Sequence, residues 1–183
     1  MYQVTWTIFN IVLVLVFGVL HQGGVVPSLF SLHSTLGNAS ANSNINVIYW
    51  KTYMPPRHLL GASPQGMRPF YTWDQHAQFS VDIISEQLHF VDLSGAPQNE
   101  LMAALSAPSF KLTYLVSPAP VYLTLPHGIS SCMTLEKRIF PHLDLDHIPE
   151  SIQAGGLDAL SLGVYAVKSD CIIAQLATEA RSS

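Results

Sequence analysis

The segment HLDLDH, residues 142–147, carries the densest set of side chains that could do chemistry. It places two carboxylates and two imidazoles within six residues. In an extended segment, Asp144 and Asp146 point the same way with His142 beside them, a set that could ligate a divalent cation. The alternative is a rigid loop, flanked by prolines, in which Asp144, Asp146 and His147 cap backbone groups or pair with one another. Both interpretations stay open, and we assign no metal and no cofactor.

A second candidate is the polar pair His21-Gln22 at the end of an apolar segment. Polar groups at membrane depth are costly, so they tend to face protein, water or substrate. The pair therefore contacts either a lipid-linked phosphate or sugar, or headgroup water. Gly23-Gly24 follows and permits a sharp bend or the close approach of a ligand.

Arg57 is the third candidate substrate-binding residue. It follows a Pro-Pro turn, so its guanidinium is held on a stiff backbone and could bind an anion bidentately. A structural role, in an ion pair or at a strand end, is the alternative.

The segment that must position the polar pair is apolar and uncharged. Lys51 is the first charged residue of the chain. Residues 4–20, VTWTIFNIVLVLVFGVL, reach the lower length limit of about 17 residues for a bilayer span, and the apolar character continues to His33. We predict one or two transmembrane or re-entrant helical segments within 1–33. A signal peptide fits poorly, because there is no basic n-region and no small-residue cleavage site follows Leu20.

The rest of the chain predicts a small lumenal α/β domain. Residues 34–44 are rich in Ser, Asn and Gly and predict a linker. Asn38 starts a glycosylation sequon, Asn38-Ala39-Ser40, which indicates that residues after about 38 are lumenal. Within the domain, 45–168, the patterns predict strands at NVIYWKTY, LHFVDL, FKLTYLVSP and VYLTLP, a helix at NELMAALSA and one βαβ unit. Residues 136–160 are predicted as mixed loop and short helix, and 169–183 as a C-terminal tail.

Composition excludes several classes of function. The net charge is -4, charged residues are 11% of the chain, and there is no basic run, which argues against a nucleic-acid surface. No nucleophile elbow or phosphate-cradling loop is present in the sequence. The two cysteines, Cys132 and Cys171, either form one bridge in an oxidising lumen or are two buried thiols.

Four segments fall in the same order as in a known enzyme family: HQGGVVPSLF, NVIYWKTYMPPRHLLG, VDLSGAP and FPHLDLDHIP. On these residues the chain, over roughly 5–168, resembles the C-terminal part of the dolichol-phosphate-mannose-dependent mannosyltransferases. These are multi-pass endoplasmic-reticulum enzymes of the GT-C type, glycosyltransferase family 22. Relatives carry a His-Lys-Glu-x-Arg-Phe type motif where this chain has HQGGVV, so only His21 matches. In lacking the charged residues of that motif, the chain resembles the branch of the family that adds the fourth mannose to the glycosylphosphatidylinositol (GPI) precursor.

The resemblance implies that the intact enzyme moves mannose from dolichol-phosphate-mannose to a hydroxyl of the GPI glycolipid, at the lumenal face of the endoplasmic-reticulum membrane. It places the catalytic carboxylate in an upstream lumenal loop, and this chain has no carboxylate before Lys51. We therefore expect a C-terminal fragment or truncated isoform, inactive alone and without catalytic residues. The implied partners are the donor, the acceptor and the lipid bilayer, with His21 and Gln22 near the donor phosphate or glycan.

Two other functional classes fit the residues. One is a membrane-tethered lumenal binding or interaction module without catalysis, since one anchor and one α/β domain require no reaction. The other is a secreted hydrolase with its signal peptide attached, against which the absence of a nucleophile motif counts.

Overall fold

The computed structural model describes residues 2–36, 44–54, 79–83, 88–107, 110–156 and 158–182. It begins with a long apolar helix, α1 Tyr2–Leu13, which continues as a π-helical stretch, Val14–Leu20. Among the described residues this is the one helix long and apolar enough to cross a membrane, by length and composition, and none of its apolar window is buried in the protein. One helix therefore qualifies as a candidate for the predicted transmembrane segments, and its insertion in a membrane stays a prediction.

The second apolar segment forms helix α2 Val25–Leu36. Its buried residues Val25, Ser28, Leu29 and Leu32 recur at helical spacing, which gives the helix one apolar face. Leu29 and Leu32 belong to a core cluster with residues of the sheet. Residues 25–32 therefore pack as part of the α/β domain.

Within the described residues, six strands form one mixed sheet in the order β2-β3-β1-β4-β6-β5. The central strands β3, β1 and β4 are parallel, and β2, β6 and β5 each pair antiparallel to their neighbours. Their bounds are β1 Ile45–Trp50, β2 Phe79–Ile83, β3 Leu88–Leu93, β4 Leu112–Pro118, β5 Met133–Ile139 and β6 Leu162–Val167. The predicted βαβ unit is confirmed as β3, α3 Gln98–Leu105 and β4, with β1 lying between its two strands.

The core lies on both faces of this sheet. All six residues of β1 are buried, as expected for a parallel strand covered on both sides. Ile48 and Trp50 face a cluster that includes residues of α3, of α7 Ser169–Ser182, and of the short helices α4 Ala119–Tyr122 and α5 His127–Ser130. Val47 and Tyr49 face the opposite cluster, which α2 covers. The arrangement is three-layered, with the sheet in the middle.

Two local predictions are wrong. VYLTLP is not a strand; its first residues belong to α4. The preceding prolines, Pro118 and Pro120, explain this, because proline lacks a donor and its fixed φ suits the first helical turn. Residues 136–139, predicted as part of a stretch of mixed loop and short helix, belong to the edge strand β5. Its five middle residues are exposed and include charged side chains, which protect a sheet edge from further pairing. The short helix predicted after it is present as α6 Ile148–Ala154.

The residues predicted as a C-terminal tail form α7, and Ile172 of that helix is fully buried. Cys171 in its first turn is bonded to Cys132, with the two Cα atoms 5.5 Å apart. Of the two alternatives for the cysteines, the structure has the disulfide. Asn38, Arg57 and most of the predicted linker lie outside the described residues.

Candidate functional site at the junction of helix and domain

The two candidate segments found separately in the sequence lie side by side in the structure. His21 forms an isolated parallel bridge with Leu143. The Leu143 amide donates to the carbonyl of Leu20 at 2.7 Å, and the Gln22 amide donates to the carbonyl of Leu143 at 3.2 Å. The end of the apolar helix is therefore tied by its backbone to the HLDLDH segment.

Gly23-Gly24 makes this approach possible, as the sequence indicated, but the close neighbour is the chain itself. A Cβ on Gly23 would meet the Pro141 carbonyl oxygen at 2.8 Å and the carbonyl of Val19. A Cβ on Gly24 would lie 3.0 Å from the Cβ of His142. A side chain at either position would push the helix end away from the domain.

The HLDLDH segment is organised by one buried carboxylate. Asp144 is 2% exposed. Its Oδ1 accepts a hydrogen bond from the Asp146 amide at 3.0 Å, and its Oδ2 lies 2.6 Å from His147 Nδ1. The predicted alternative in which these side chains pair with each other and cap the backbone is the observed one. With Nδ1 turned to the carboxylate, His147 has Nε2 for any further partner.

His142 does not join this set. Its ring is 1% exposed, and both ring nitrogens lack a hydrogen-bond partner among the described residues. Burial, reinforced by the nearby charge of His21, lowers the pKa of His142 to about 4. Within the described residues, no three side chains of His, Cys, Asp or Glu are placed to hold a metal ion.

A cleft of about 180 Å³ opens beside this junction, and we call it the junction cleft. Its lining comes from four stretches: Gln22; Lys51, Thr52 and Tyr53; Ser94 and Gly95; and Asp146 and His147. The second and third stretches directly follow β1 and β3, which are neighbouring parallel strands. The carboxyl edge of parallel strands is where α/β sheets bind ligands.

Two residues of the junction cleft have unusual backbone. Gln22 has φ 57° and Lys51 has φ 55°, in the left-handed region that non-glycine residues seldom adopt. The Thr52 hydroxyl donates to Gln22 Oε1 at 2.8 Å, which joins the two stretches. Strained backbone of this kind costs roughly 1–3 kcal/mol per residue and clusters at ligand sites. This observation supports the junction cleft as the functional site.

Of the three predicted substrate-binding residues, only one lines the junction cleft among the described residues. Gln22 lines the junction cleft, whereas His21 is not one of its lining residues and has Nδ1 3.3 Å from the Leu143 carbonyl oxygen. Arg57 is outside the described residues. Lys51, Tyr53 and Ser94 were not predicted as site residues. The available signal was their position immediately after two buried strands, because such positions meet at one edge of a parallel sheet.

Comparison with known proteins gives a consistent result. The chain is 31% identical to GPI mannosyltransferase 4 of Debaryomyces hansenii over 168 residues, covering 87% of this chain and 29% of that protein. It is 34% identical to GPI mannosyltransferase 4 of Candida albicans over 169 residues, 88% of this chain and 28% of that protein. GPI alpha-1,2-mannosyltransferase 4 of Homo sapiens is 42% identical over 59 residues, 31% of this chain and 10% of that protein.

The chain thus spans under a third of the length of these curated relatives. No family model matches the sequence, and no solved structure matches it.

Proposed function

This chain is a relative of GPI mannosyltransferase 4 over most of its length, and from that premise we propose that it is part of a mannosyltransferase of GPI biosynthesis. The sequence relationship is the single observation that carries the proposal. In the intact enzyme, mannose passes from dolichol-phosphate-mannose to a hydroxyl of the GPI precursor, as the fourth mannose. The chain is the C-terminal part of that enzyme and is inactive by itself.

The role of this part is to bind and position substrate. The helix Tyr2–Leu20 inserts in the endoplasmic-reticulum membrane, and the α/β domain lies on the lumenal side. The disulfide between Cys132 and Cys171 supports lumenal placement, because such bonds persist in oxidising compartments. The sequon at Asn38 agrees with the same orientation.

The junction cleft is the part of the domain that serves the substrate. Gln22 lines it, and the neighbouring His21 is held by its contact with Leu143. Because the cleft begins two residues beyond the end of the apolar helix, a lipid headgroup reaches it without leaving the membrane surface. Arg57 has a structural or acceptor-facing role.

The test is an exchange of segments in the intact enzyme. In Candida albicans cells lacking GPI mannosyltransferase 4, the matching segment of the native enzyme is replaced by this chain, and GPI intermediates are analysed for a fourth mannose. We expect the exchanged enzyme to restore the four-mannose intermediate, and the chain alone, membrane-bound and expressed equally, to restore none.

Two results would overturn parts of the proposal. An exchanged enzyme that is made, inserted and inactive would favour a binding module that takes no part in transfer. A four-mannose GPI formed by the chain alone would mean that the catalytic carboxylate lies within it, with Asp144 and Asp146 among the carboxylates to test.

A further inference from the structure

We propose that the junction cleft binds one sugar ring of a membrane glycolipid, with Asp146, His147 and Gln22 as hydrogen-bonding groups and Tyr53 as a stacking surface. This inference rests on the proposed function and adds to it a ligand class and a set of residues. No residue of the cleft is assigned a bond-making step.

The size of the cleft fits one ring. Its volume is about 180 Å³, below the roughly 300–1,000 Å³ of clefts that enclose drug-sized ligands. A space of this size matches one hexose better than a tetrasaccharide or a lipid tail, and the remainder of the glycan would leave through the open side.

The balance of charge favours a neutral polyhydroxyl ligand over an anion. Lys51 brings one ammonium group to the cleft, and Asp146 brings one carboxylate. The imidazole of His147 is paired with the buried carboxylate of Asp144 at 2.6 Å. A phosphate site gathers cations and excludes carboxylates, whereas sugar hydroxyls both donate to carboxylates and accept from amides.

The polar groups are held in place before any ligand arrives. Gln22 is fixed by its bond from Thr52, so its amide NH₂ has a set direction. His147 is fixed by Asp144, which leaves Nε2 for a hydroxyl. Groups that are ordered in advance lose little conformational entropy on binding. The gain in binding from these ordered groups offsets the unfavourable backbone conformations of Gln22 and Lys51.

Tyr53 completes the site. It follows β1 and its side chain is 56% exposed although it lines the cleft. A tyrosine ring offers an apolar face with a polar edge, which suits the C–H face of a hexose. The three hydrogen-bonding groups and this ring together define a sugar subsite at the foot of the apolar helix.

The experiment is a binding titration that requires no enzyme activity. The full chain is placed in phosphatidylcholine nanodiscs, and methyl α-D-mannopyranoside is titrated by ligand-observed saturation-transfer NMR, with glycerol as the nonspecific polyol. Asp146→Asn keeps the shape of the side chain and removes its charge, and we expect at least about ten-fold weaker binding. The matched control is Asp170→Asn, an exposed aspartate on α7 outside the cleft, which we expect to bind as the unmodified chain does.

Tyr53→Ala provides an independent variant, because an exposed side chain can be removed without opening the core. We expect it to weaken binding several-fold while the unfolding midpoint of the domain stays unchanged. Sugar binding no stronger than glycerol binding, or equal binding by the Asp146 and Asp170 variants, overturns the proposal. Saturable binding of inorganic phosphate that is lost in Lys51→Met also overturns it, in favour of an anion site.

The two proposals fail separately. If the exchanged enzyme transfers no mannose but the chain binds methyl mannoside through Asp146, the proposed function is rejected and the sugar subsite stands. If transfer is restored but methyl mannoside does not bind, only the subsite is rejected.

Discussion

Two apolar helices stand next to each other in the chain and meet opposite environments. The helix Tyr2–Leu20 and helix α2 both lack charged residues and are separated by four residues. On the first, Trp6 is 59% exposed and Phe17 55% exposed; on the second, Leu29 is 7% exposed and Leu32 2% exposed. Hydrophobicity alone does not separate them.

The difference lies in how the apolar residues are arranged. Residues 11–20 of the first helix, IVLVLVFGVL, are apolar on every side, so no single face of that stretch can be covered by one neighbouring layer. On α2 the buried residues form one stripe that packs on the sheet, while Val26 and Phe30 stay exposed. A uniformly apolar helix suits a surrounding apolar solvent, and a striped helix suits a protein core.

Loss of the disulfide should have the largest effect, and it should lower the stability of the α/β domain without changing the helix Tyr2–Leu20. Replacing both Cys132 and Cys171 by alanine opens a bond that spans 39 residues of sequence. Chain-entropy reasoning for a loop of that length gives about 4 kcal/mol of lost unfolding free energy. Chemical denaturation followed by circular dichroism measures it. Hydrogen exchange of the helix Tyr2–Leu20 in nanodiscs should be unchanged, and equal unfolding midpoints with and without the bond would contradict the prediction.

A pair of matched leucines compares the two helices directly. Leu29→Ala removes a buried side chain from the core cluster under α2 and should lower the unfolding free energy of the domain by about 3 kcal/mol. Leu15→Ala makes the same change on the first helix, where the leucine is 51% exposed, and should leave domain stability within about 0.5 kcal/mol. Equal losses in the two variants would show that the first helix also packs on the domain.

The domain should also respond to acid through His142. Its folded pKa of about 4 is below the unfolded value, so the unfolded state takes up the proton first as the pH falls. Above about pH 6.5, where His142 is neutral in both states, its contribution does not reduce the unfolding free energy. As the pH falls from about 6.5 to about 4, the unfolding free energy drops by up to about 3 kcal/mol. Denaturation at several pH values measures the slope.

His142→Leu is the matching variant, and it should flatten the acid side of that curve. An unchanged slope would show that His142 is not the group responsible. The helix Tyr2–Leu20 carries no His, Asp, Glu, Lys or Arg, so its exchange protection should not follow the same pH dependence.

The smallest effect concerns the joint between the two regions. Gly23→Ala places a methyl group against the carbonyl oxygens of Val19 and Pro141. We expect this contact to lower the unfolding free energy by about 2 kcal/mol and to weaken the hydrogen bond from the Leu143 amide to the Leu20 carbonyl. Faster hydrogen exchange of the Leu143 amide measures it. Gly95→Ala is the control, since a Cβ there meets nothing within 4 Å; the same acceleration in both variants would contradict a specific joint.

Much of the domain was predictable because its signals are local. The strands β1, β3 and β4 and helix α3 follow from β-branched runs and turn residues. The strand predicted at VYLTLP is wrong because Pro118 and Pro120 outweigh its β-branched and aromatic content. The edge strand β5 was missed, since exposed charges hide the alternation that marks a buried strand.

Local sequence patterns were enough to predict the long uncharged apolar helix, the α/β character of the domain and the family of relatives. It also singled out Gln22 and the HLDLDH segment, because their residue types are unusual where they stand. That these two segments meet, and that Lys51 and Tyr53 complete the cleft, is seen only in the folded domain. Contacts between residues some 120 positions apart depend on strand order and sheet register, which no local pattern contains.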